Sequence, residues 1–366
     1  MKIGIITFHN ALNAGAVLQA YALQTVLTQL GHHIEFIDYA PIKRYTLKDF
    51  IAKSPKNILH KWHNIYNRIK YSRHRRFNKV LQLGDKTYLS YDNLRNSPPN
   101  YDLYIAGSDQ IWNFSTYISP IYTLDFVPFN KKKIAYAASM GQCNLDKSLY
   151  NIFKDKILKF DAISLREKNG VNFIQELVGN KKKIYQTLDP TLLINANQYN
   201  DIIDKCKMSN KPFISTYILS NIDEDDSAII SQIKKTLKLE VINLRNPDTG
   251  IKLKQAQNII VTPYQWLNYI KNSNFVICSS FHAVVFSLIF HKPFIALVPP
   301  TNKTKGGNMR INSLLENIGL QNRIIYTFNQ KQLETIINNN INWDEIDNKF
   351  LQLRQPSIDF LLKNIK

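Results

Sequence analysis

One histidine in this chain stands where a proton could be passed. His282 lies in Ser279–Phe294 (SSFHAVVFSLIFHKPF), just after the apolar run Phe275–Cys278. Phe275–Cys278 reads as a strand, Ser279 and Ser280 as N-cap chemistry, Ala283–Phe290 as a helix, and Lys292-Pro293 as its stop before a second strand, Phe294–Val298. A helix N-terminus that follows a strand presents free backbone N–H groups and a partial positive charge, which suit a phosphate or a carboxylate. An imidazole in that first turn could donate or accept a proton near neutral pH. The plain alternative is a histidine that caps or packs at a helix start.

Other reactive types fall at comparable places. Lys2–Phe8 reads as a strand followed by the polar loop His9–Ala16, which holds Asn13 and Gly15. Asp102–Ala106 is followed by Gly107–Asn113 (GSDQIWN), Lys132–Ala138 by Ser139-Met140-Gly141, and Asp161–Leu165 by Arg166-Glu167. Ligands of open parallel sheets bind outside the carboxyl ends of the strands, so these loops should converge on one crevice. Asn13, Ser108, Asp109, Gln110 and Arg166 are therefore candidates by position as well as chemistry. Trp112 could stack on a sugar ring, although a buried indole is equally ordinary. Asp109 could be a turn aspartate, and Arg166 with Glu167 a surface ion pair. Asp189, in Leu188–Leu193 (LDPTLL), reads as the residue that fixes a junction turn.

The elements that position these residues alternate. Val17–Leu30 has apolar residues at helical spacing and Gly31 closes it, before the strand His33–Asp38; this is one βαβ unit, which implies a parallel sheet. The loop does not match GxGxxG, so a dinucleotide fingerprint is absent. After the Asp-Pro of 189–190 a second series follows: Phe213–Leu219, a helix over Ala228–Leu237, Glu240–Leu244, Asn258–Val261, a helix over Tyr264–Asn272, then the His282 stretch. Thr301–Met309 (TNKTKGGNM) could close as a lid, and Arg310–Leu320 reads as a helix. The expected class is α/β, with two Rossmann-like domains facing a cleft, the plan of the GT-B fold. The boundaries predicted are 1–185 with a basic helical insertion at 41–100, then 186–345, then a last helix at 346–366 packing back on the first domain.

The 366 residues are enough for two cores. The three cysteines, Cys143, Cys206 and Cys278, have no CxxC spacing, which argues against a disulfide framework and structural zinc. There is neither an 18-residue apolar run nor a signal-peptide pattern at Met1–Phe8, so a cytoplasmic location is expected. The net charge of +19 is uneven: Lys43–Lys86 holds thirteen Lys/Arg against Asp49 and Asp85. That segment suits an anionic membrane face at which the protein would sit peripherally, or simply a solvated helix face. With no zinc finger, RNP pattern or repeat, nucleic acid is not expected as a partner.

Six stretches in order, Asn13–Gln24 (NAGAVLQAYALQ), Tyr101–Asn113 (YDLYIAGSDQIWN), Lys133–Gly141 (KIAYAASMG), Ile163–Glu167 (ISLRE), Leu188–Leu193 and Ser279–Phe294, together resemble the polysaccharide pyruvyl transferase family. The resemblance implies transfer of the pyruvyl group of phosphoenolpyruvate, a substrate and not a cofactor, onto two hydroxyls of a sugar in a cell-surface polysaccharide or its lipid-linked precursor. The product would be a pyruvate ketal. No metal or other cofactor is implied. His282 matches the family's proposed general acid and Arg166 an arginine assigned to the donor; Asp109 is the candidate base. Ser279 and Ser280 would contact the donor, but Ser280 stands where some members have arginine. That departure removes a charge, which Arg310, or Lys303 and Lys305, would have to restore. Asn13, Gly15, Ser108, Gln110 and Trp112 are left to the acceptor. Two rivals stand beside this reading: a GT-B glycosyltransferase using a nucleotide sugar, and a non-catalytic glycan- or anion-binding protein.

Overall fold

The computed structural model describes residues 1–40, 76–141, 143–203, 211–219, 223–245, 252–298 and 309–366. The predicted lid with Lys303 and Lys305, and the basic segment up to residue 75, lie outside the described residues.

Two parallel sheets make the architecture. The first has seven strands, β1 (Lys2–Ile6), β2 (His33–Tyr39), β3 (Leu83–Tyr88), β4 (Leu103–Ala106), β5 (Lys132–Ala138), β6 (Ala162–Leu165) and β7 (Ile184–Gln186), in the order β3-β2-β1-β4-β5-β6-β7. The second has β8 (Phe213–Tyr217), β9 (Glu240–Arg245), β10 (Gln257–Ile260), β11 (Phe275–Cys278), β12 (Phe294–Leu297) and β13 (Ile324–Ile325), in the order β10-β9-β8-β11-β12-β13. Every residue of β4, β6, β11 and β12 is buried, as expected of strands covered by helices on both faces. In each sheet the order reverses beside the first strand, at β1/β4 and at β8/β11, and a crevice opens at such a point.

Five helices matter for the site: α1 (Ala14–Gln29), α2 (Pro263–Asn272), α3 (Phe281–Ile289), α4 (Met309–Ile318) and α5 (Trp343–Asn364). Twelve of the sixteen residues of α1 are buried, so this helix is not a surface cover but is held between the two units. Aromatic side chains carry the contact across: Tyr21 of α1 meets Tyr199 at 6.2 Å, Tyr199 meets Phe286 of α3 at 4.8 Å, and Phe286 meets Trp266 of α2 at 5.4 Å. One apolar cluster thus runs from Leu18 and Leu27 to Trp266 and Phe286. The last helix begins at Trp343 rather than 346 and passes from the second unit to the first. Lys349 Nζ donates to Ile318 O at 3.0 Å, while Phe360 packs on Tyr136 and Tyr185 and Ser357 Oγ accepts from the Leu188 N–H at 2.9 Å.

Two expectations are corrected. The insertion at 41–100 is not wholly helical: Leu83–Tyr88 adds the edge strand of the first sheet, with Asp85 and Lys86 exposed and Thr87 Oγ1 donating to Asp38 Oδ2 at 2.6 Å. Charges on an edge strand discourage sheet-to-sheet pairing and read in sequence like a solvated helix face. Trp112 does not face an acceptor. Its side chain is 0% exposed, edge-on to Phe153 and Phe160 at 5.6 Å each, with Nε1 donating to Tyr122 O at 2.9 Å. Trp112→Ala should therefore lower unfolding free energy by about 3–5 kcal/mol in urea titrations, the usual result for a large core truncation.

Candidate active site

The loop after β4 is shaped by backbone constraints. Gly107 has φ +126°, and a Cβ there would sit 2.1 Å from Tyr136 O, so only glycine fits. Asp109 follows in the left-handed region at φ +71°, and its carbonyl accepts from the Ser139 N–H at 2.9 Å. Gln19, buried in α1, locks this turn to the first βα loop: its Nε2 donates to Thr7 Oγ1 at 2.9 Å and its Oε1 accepts from the Ser108 N–H at 3.2 Å. Ser108 is thereby turned inward. Its hydroxyl donates to Ala137 O at 2.8 Å and the residue is fully buried, which corrects its assignment to the acceptor.

The centre of the site is a buried set of charges at the carboxyl ends of β4, β6 and β7. Asp189, with a side chain 0% exposed, places Oδ2 2.5 Å from Arg166 Nη1 and 3.6 Å from His282 Nε2; its Oδ1 accepts from the Thr191 N–H at 3.0 Å and Thr191 Oγ1 at 2.6 Å. Burial penalises that carboxylate, yet the imidazole, Arg166 and Thr191 outweigh burial and hold it well below the usual carboxylate range. Arg166, 4% exposed, also donates from Nε to Glu167 Oε1 at 3.0 Å, and its Nη2 lies 3.8 Å from Asp109 Oδ1. Burial disfavours the guanidinium charge, but Glu167, Asp189 and Asp109 together hold it more firmly than usual. Arg166 Nη2 and Glu167 Oε2 have no hydrogen-bond partner among the described residues.

His282 enters this set from the other unit. It occupies the first turn of α3, its side chain is 6% exposed, and its Nε2 makes no hydrogen bond among the described residues. The imidazole lies directly on Gly15 in the first turn of α1: a Cβ on Gly15 would meet Nδ1 at 2.2 Å, Cγ at 2.3 Å and Cβ at 2.5 Å. Asn13 caps that turn, its Oδ1 accepting from the Gly15 N–H at 2.9 Å. The first turns of α1 and α3 therefore abut at the seam between the units.

Phe281 stands between two guanidinium groups, Arg166 at 4.4 Å and Arg310 of α4 at 5.9 Å from its ring centre. Arg310 is half-buried and meets the carboxamide of Gln110, whose oxygen, when turned toward it, accepts from both Nη atoms at 2.8 Å. Burial and the neighbouring Arg166 cation both work against the charge of Arg310, an arrangement that an arriving anion would relieve. Arg166, Glu167, Asp189, Phe281 and Arg310 line a cavity of about 180 Å³ together with residues of α4 and α5.

Asn13, Gly15, Asp109, Gln110, Arg166, His282 and Arg310 are thus gathered in one region. Ser108 is not available as a ligand in the way foreseen. The Ser279 hydroxyl accepts the Leu219 N–H at 3.0 Å, and Ser280, the buried N-cap residue of α3, makes no side-chain capping bond. Asp189 and Glu167 are read from the sequence only as a turn residue and as half of a surface ion pair, and Phe281 is not singled out. Asp189 does fix its turn through Oδ1, and nothing in the local sequence reveals that Oδ2 meets two residues distant in the chain. Cys278 is core, its thiol pushed up to about 12 by burial.

A sequence model of the polysaccharide pyruvyl transferase family matches residues 13–300, a span that includes Asn13, Asp109, Arg166, Asp189 and His282. The chain belongs to this family. A search of the curated proteins found no match. Among solved structures, the UDP-GlcNAc 2-epimerase of Methanocaldococcus jannaschii aligns with a TM-score of 0.54 at 12% identity over 100% of both chains. The UDP-GlcNAc 2-epimerase of Neisseria meningitidis, bound to UDP-GlcNAc, aligns with a TM-score of 0.52 at 12% identity, again over 100% of both. At that identity the likeness shows the fold alone, and it is the two-sheet GT-B arrangement. No helix among the described residues of this pyruvyl transferase family member is long and apolar enough to cross a membrane.

The contact between Gly15 and His282 can be tested directly. Gly15→Ala must push the imidazole or the first turn of α1 aside, with an expected cost of about 1–3 kcal/mol in unfolding free energy. The same variant should shift the His282 ring resonances in NMR spectra and reduce activity; unchanged ring signals would show that the close approach is not maintained in solution.

Proposed function

We propose that this transferase moves the pyruvyl group of phosphoenolpyruvate onto two hydroxyls of a sugar, in a polysaccharide or its lipid-linked precursor, and forms a cyclic ketal. The observation that carries the reading is the placement of His282 at the seam of the two units, beside a carboxylate and within one cluster with Arg166 and Arg310. The chemistry needs such a set. Carbon 3 of the donor must take a proton so that carbon 2 becomes electrophilic, and His282 is the proton donor proposed. The first sugar hydroxyl then bonds to carbon 2 and gives up its proton, for which Asp109 is the acceptor proposed. The second hydroxyl bonds to the same carbon as the C–O bond to phosphate breaks, and its proton leaves with the phosphate.

Arg310 and the unpartnered Nη2 of Arg166 would meet the donor's phosphate and carboxylate, where charge-assisted bonds are strongest. Asn13 and Gln110, both half-buried at the mouth of the same loops, would contact the acceptor. The excess of Lys and Arg between Lys43 and Lys86 would suit an anionic membrane surface, where a lipid-linked acceptor is presented.

The test is incubation with phosphoenolpyruvate and a panel of sugar and sugar-lipid acceptors, following mass gain and released phosphate. Mass gain matching a ketal supports the reading; turnover of a nucleotide sugar instead, with phosphoenolpyruvate inert, overturns it. His282→Ala should lower kcat by about 10²–10⁴-fold while the protein stays folded. Arg310→Ala should raise KM for phosphoenolpyruvate, and an unaltered KM would remove Arg310 from the donor site.

A further inference from the structure

Asp189 takes part in none of the steps just described, yet it is the most enclosed charged side chain of the cluster. It sits in the turn after β7, on the unit opposite α3, and reaches across the seam to His282. Its two oxygens are used differently. Oδ1 is occupied locally by the Thr191 N–H and hydroxyl, at 3.0 and 2.6 Å. Oδ2 faces Arg166 Nη1 at 2.5 Å, Ser108 Oγ at 3.4 Å and His282 Nε2 at 3.6 Å.

We propose that Asp189 is the positioning carboxylate of His282: it takes the Nε2–H side of the ring, and so leaves Nδ1, lying over Gly15, as the nitrogen that exchanges a proton with the donor. This deepens the proposed function and rests on it, because it assumes that His282 is the acid. A carboxylate beside one ring nitrogen fixes the ring orientation, selects the tautomer and favours the imidazolium form. The surroundings leave Asp189 the means to do so. Arg166 holds the carboxylate ionised and fixed, while Glu167 and Asp109 in turn neutralise Arg166. Of the other titratable groups that feel the charge of Asp189, Tyr136 and Tyr199 are buried phenols pushed above their usual range, so they stay neutral, and Arg310 is a cation on which Asp189 acts together with Asp109 and Glu167.

Three measurements separate this role from a structural one. In the unmodified protein labelled with ¹⁵N-histidine, the neutral His282 ring should carry its proton on Nε2; a neutral ring protonated on Nδ1 overturns the proposal. Asp189→Asn keeps an acceptor for Thr191 but loses the charge, so kcat should fall by roughly a hundredfold or more with KM for phosphoenolpyruvate much less changed, and the limb of the pH–rate profile that reports the proton donor should move to lower pH. An unmoved profile refutes the assignment. Thr191→Val, which removes only the hydroxyl bond to Oδ1, should lower thermal stability without moving the profile; a moved profile would mean that any disturbance of the turn mimics the loss of charge, and refutes it as well.

A double-mutant cycle of Asp189→Asn with His282→Gln, read as Tm, needs no activity. The coupling should be larger at pH 5.5 than at pH 8.5, because the attraction exists in full only for a charged ring; equal coupling at both overturns the proposal. Should the protein fail to turn over phosphoenolpyruvate, the reaction assignment falls, while the ring tautomer and the pH-dependent coupling still decide the question of Asp189.

Discussion

Burying the guanidinium of Arg166 is the constraint on which the site depends. An isolated cation at that depth would be prohibitively unfavourable, and breaking a buried pair by removing one partner typically costs about 3–5 kcal/mol. The fold meets the demand by bringing three strand-end loops of the first sheet together: Asp109 after β4, Glu167 after β6 and Asp189 after β7. Those loops are therefore held in register by charge as well as by the sheet. The short turn with left-handed Asp109 and the Gln19 clamp serve the same end, since a loop free to move would leave Arg166 unpaired. Among the described residues, Arg166 Nη2, Glu167 Oε2 and His282 Nε2 are the buried polar atoms of this cluster left without a hydrogen bond.

The second constraint is the close approach of the two units. α1 is buried almost all round because α2 and α3 of the second unit cover the face that the first sheet does not. The aromatic series Tyr21, Tyr199, Phe286 and Trp266 sets the separation, and at the end of that contact Gly15 admits the imidazole of His282. Helix α5 ties the units a second time, from Ile318 to Leu188. The position of the His282 side chain thus depends on packing some distance away, and a volume change in the shared core would be felt at the histidine.

Much of this was legible in the sequence for physical reasons. Buried parallel strands are continuous apolar runs, and such strands end in polar loops, so β4, β5, β6, β11 and the residues after them could be placed. His282, Arg166 and Asp109 follow from that placement and from the family motifs together. The failures share a cause. Ser108 and Trp112 have the right types at the right strand ends, but a strand end has an inward and an outward side, and the choice between them is made by partners remote in sequence: Ala137 O for one, the Phe153 and Phe160 rings for the other. Asp189 is the opposite case, read correctly but incompletely. Its local role as a turn residue is real, and it concealed a second oxygen pointed at residues 23 and 93 positions away.

The arithmetic of charge adds a last step. Among the described residues the cluster holds the carboxylates of Asp109, Glu167 and Asp189 against the guanidinium groups of Arg166 and Arg310, so it is not the strongly cationic cradle that a phosphate- and carboxylate-bearing donor would suggest. Arg166 is largely neutralised by its own neighbours, whereas Arg310 meets the neutral carboxamide of Gln110; in the reaction proposed, Arg310 would meet most of the donor's charge. In that reaction, an anion held there would lie in one cluster with His282, so that the packing of the two units would bring donor and proton source together.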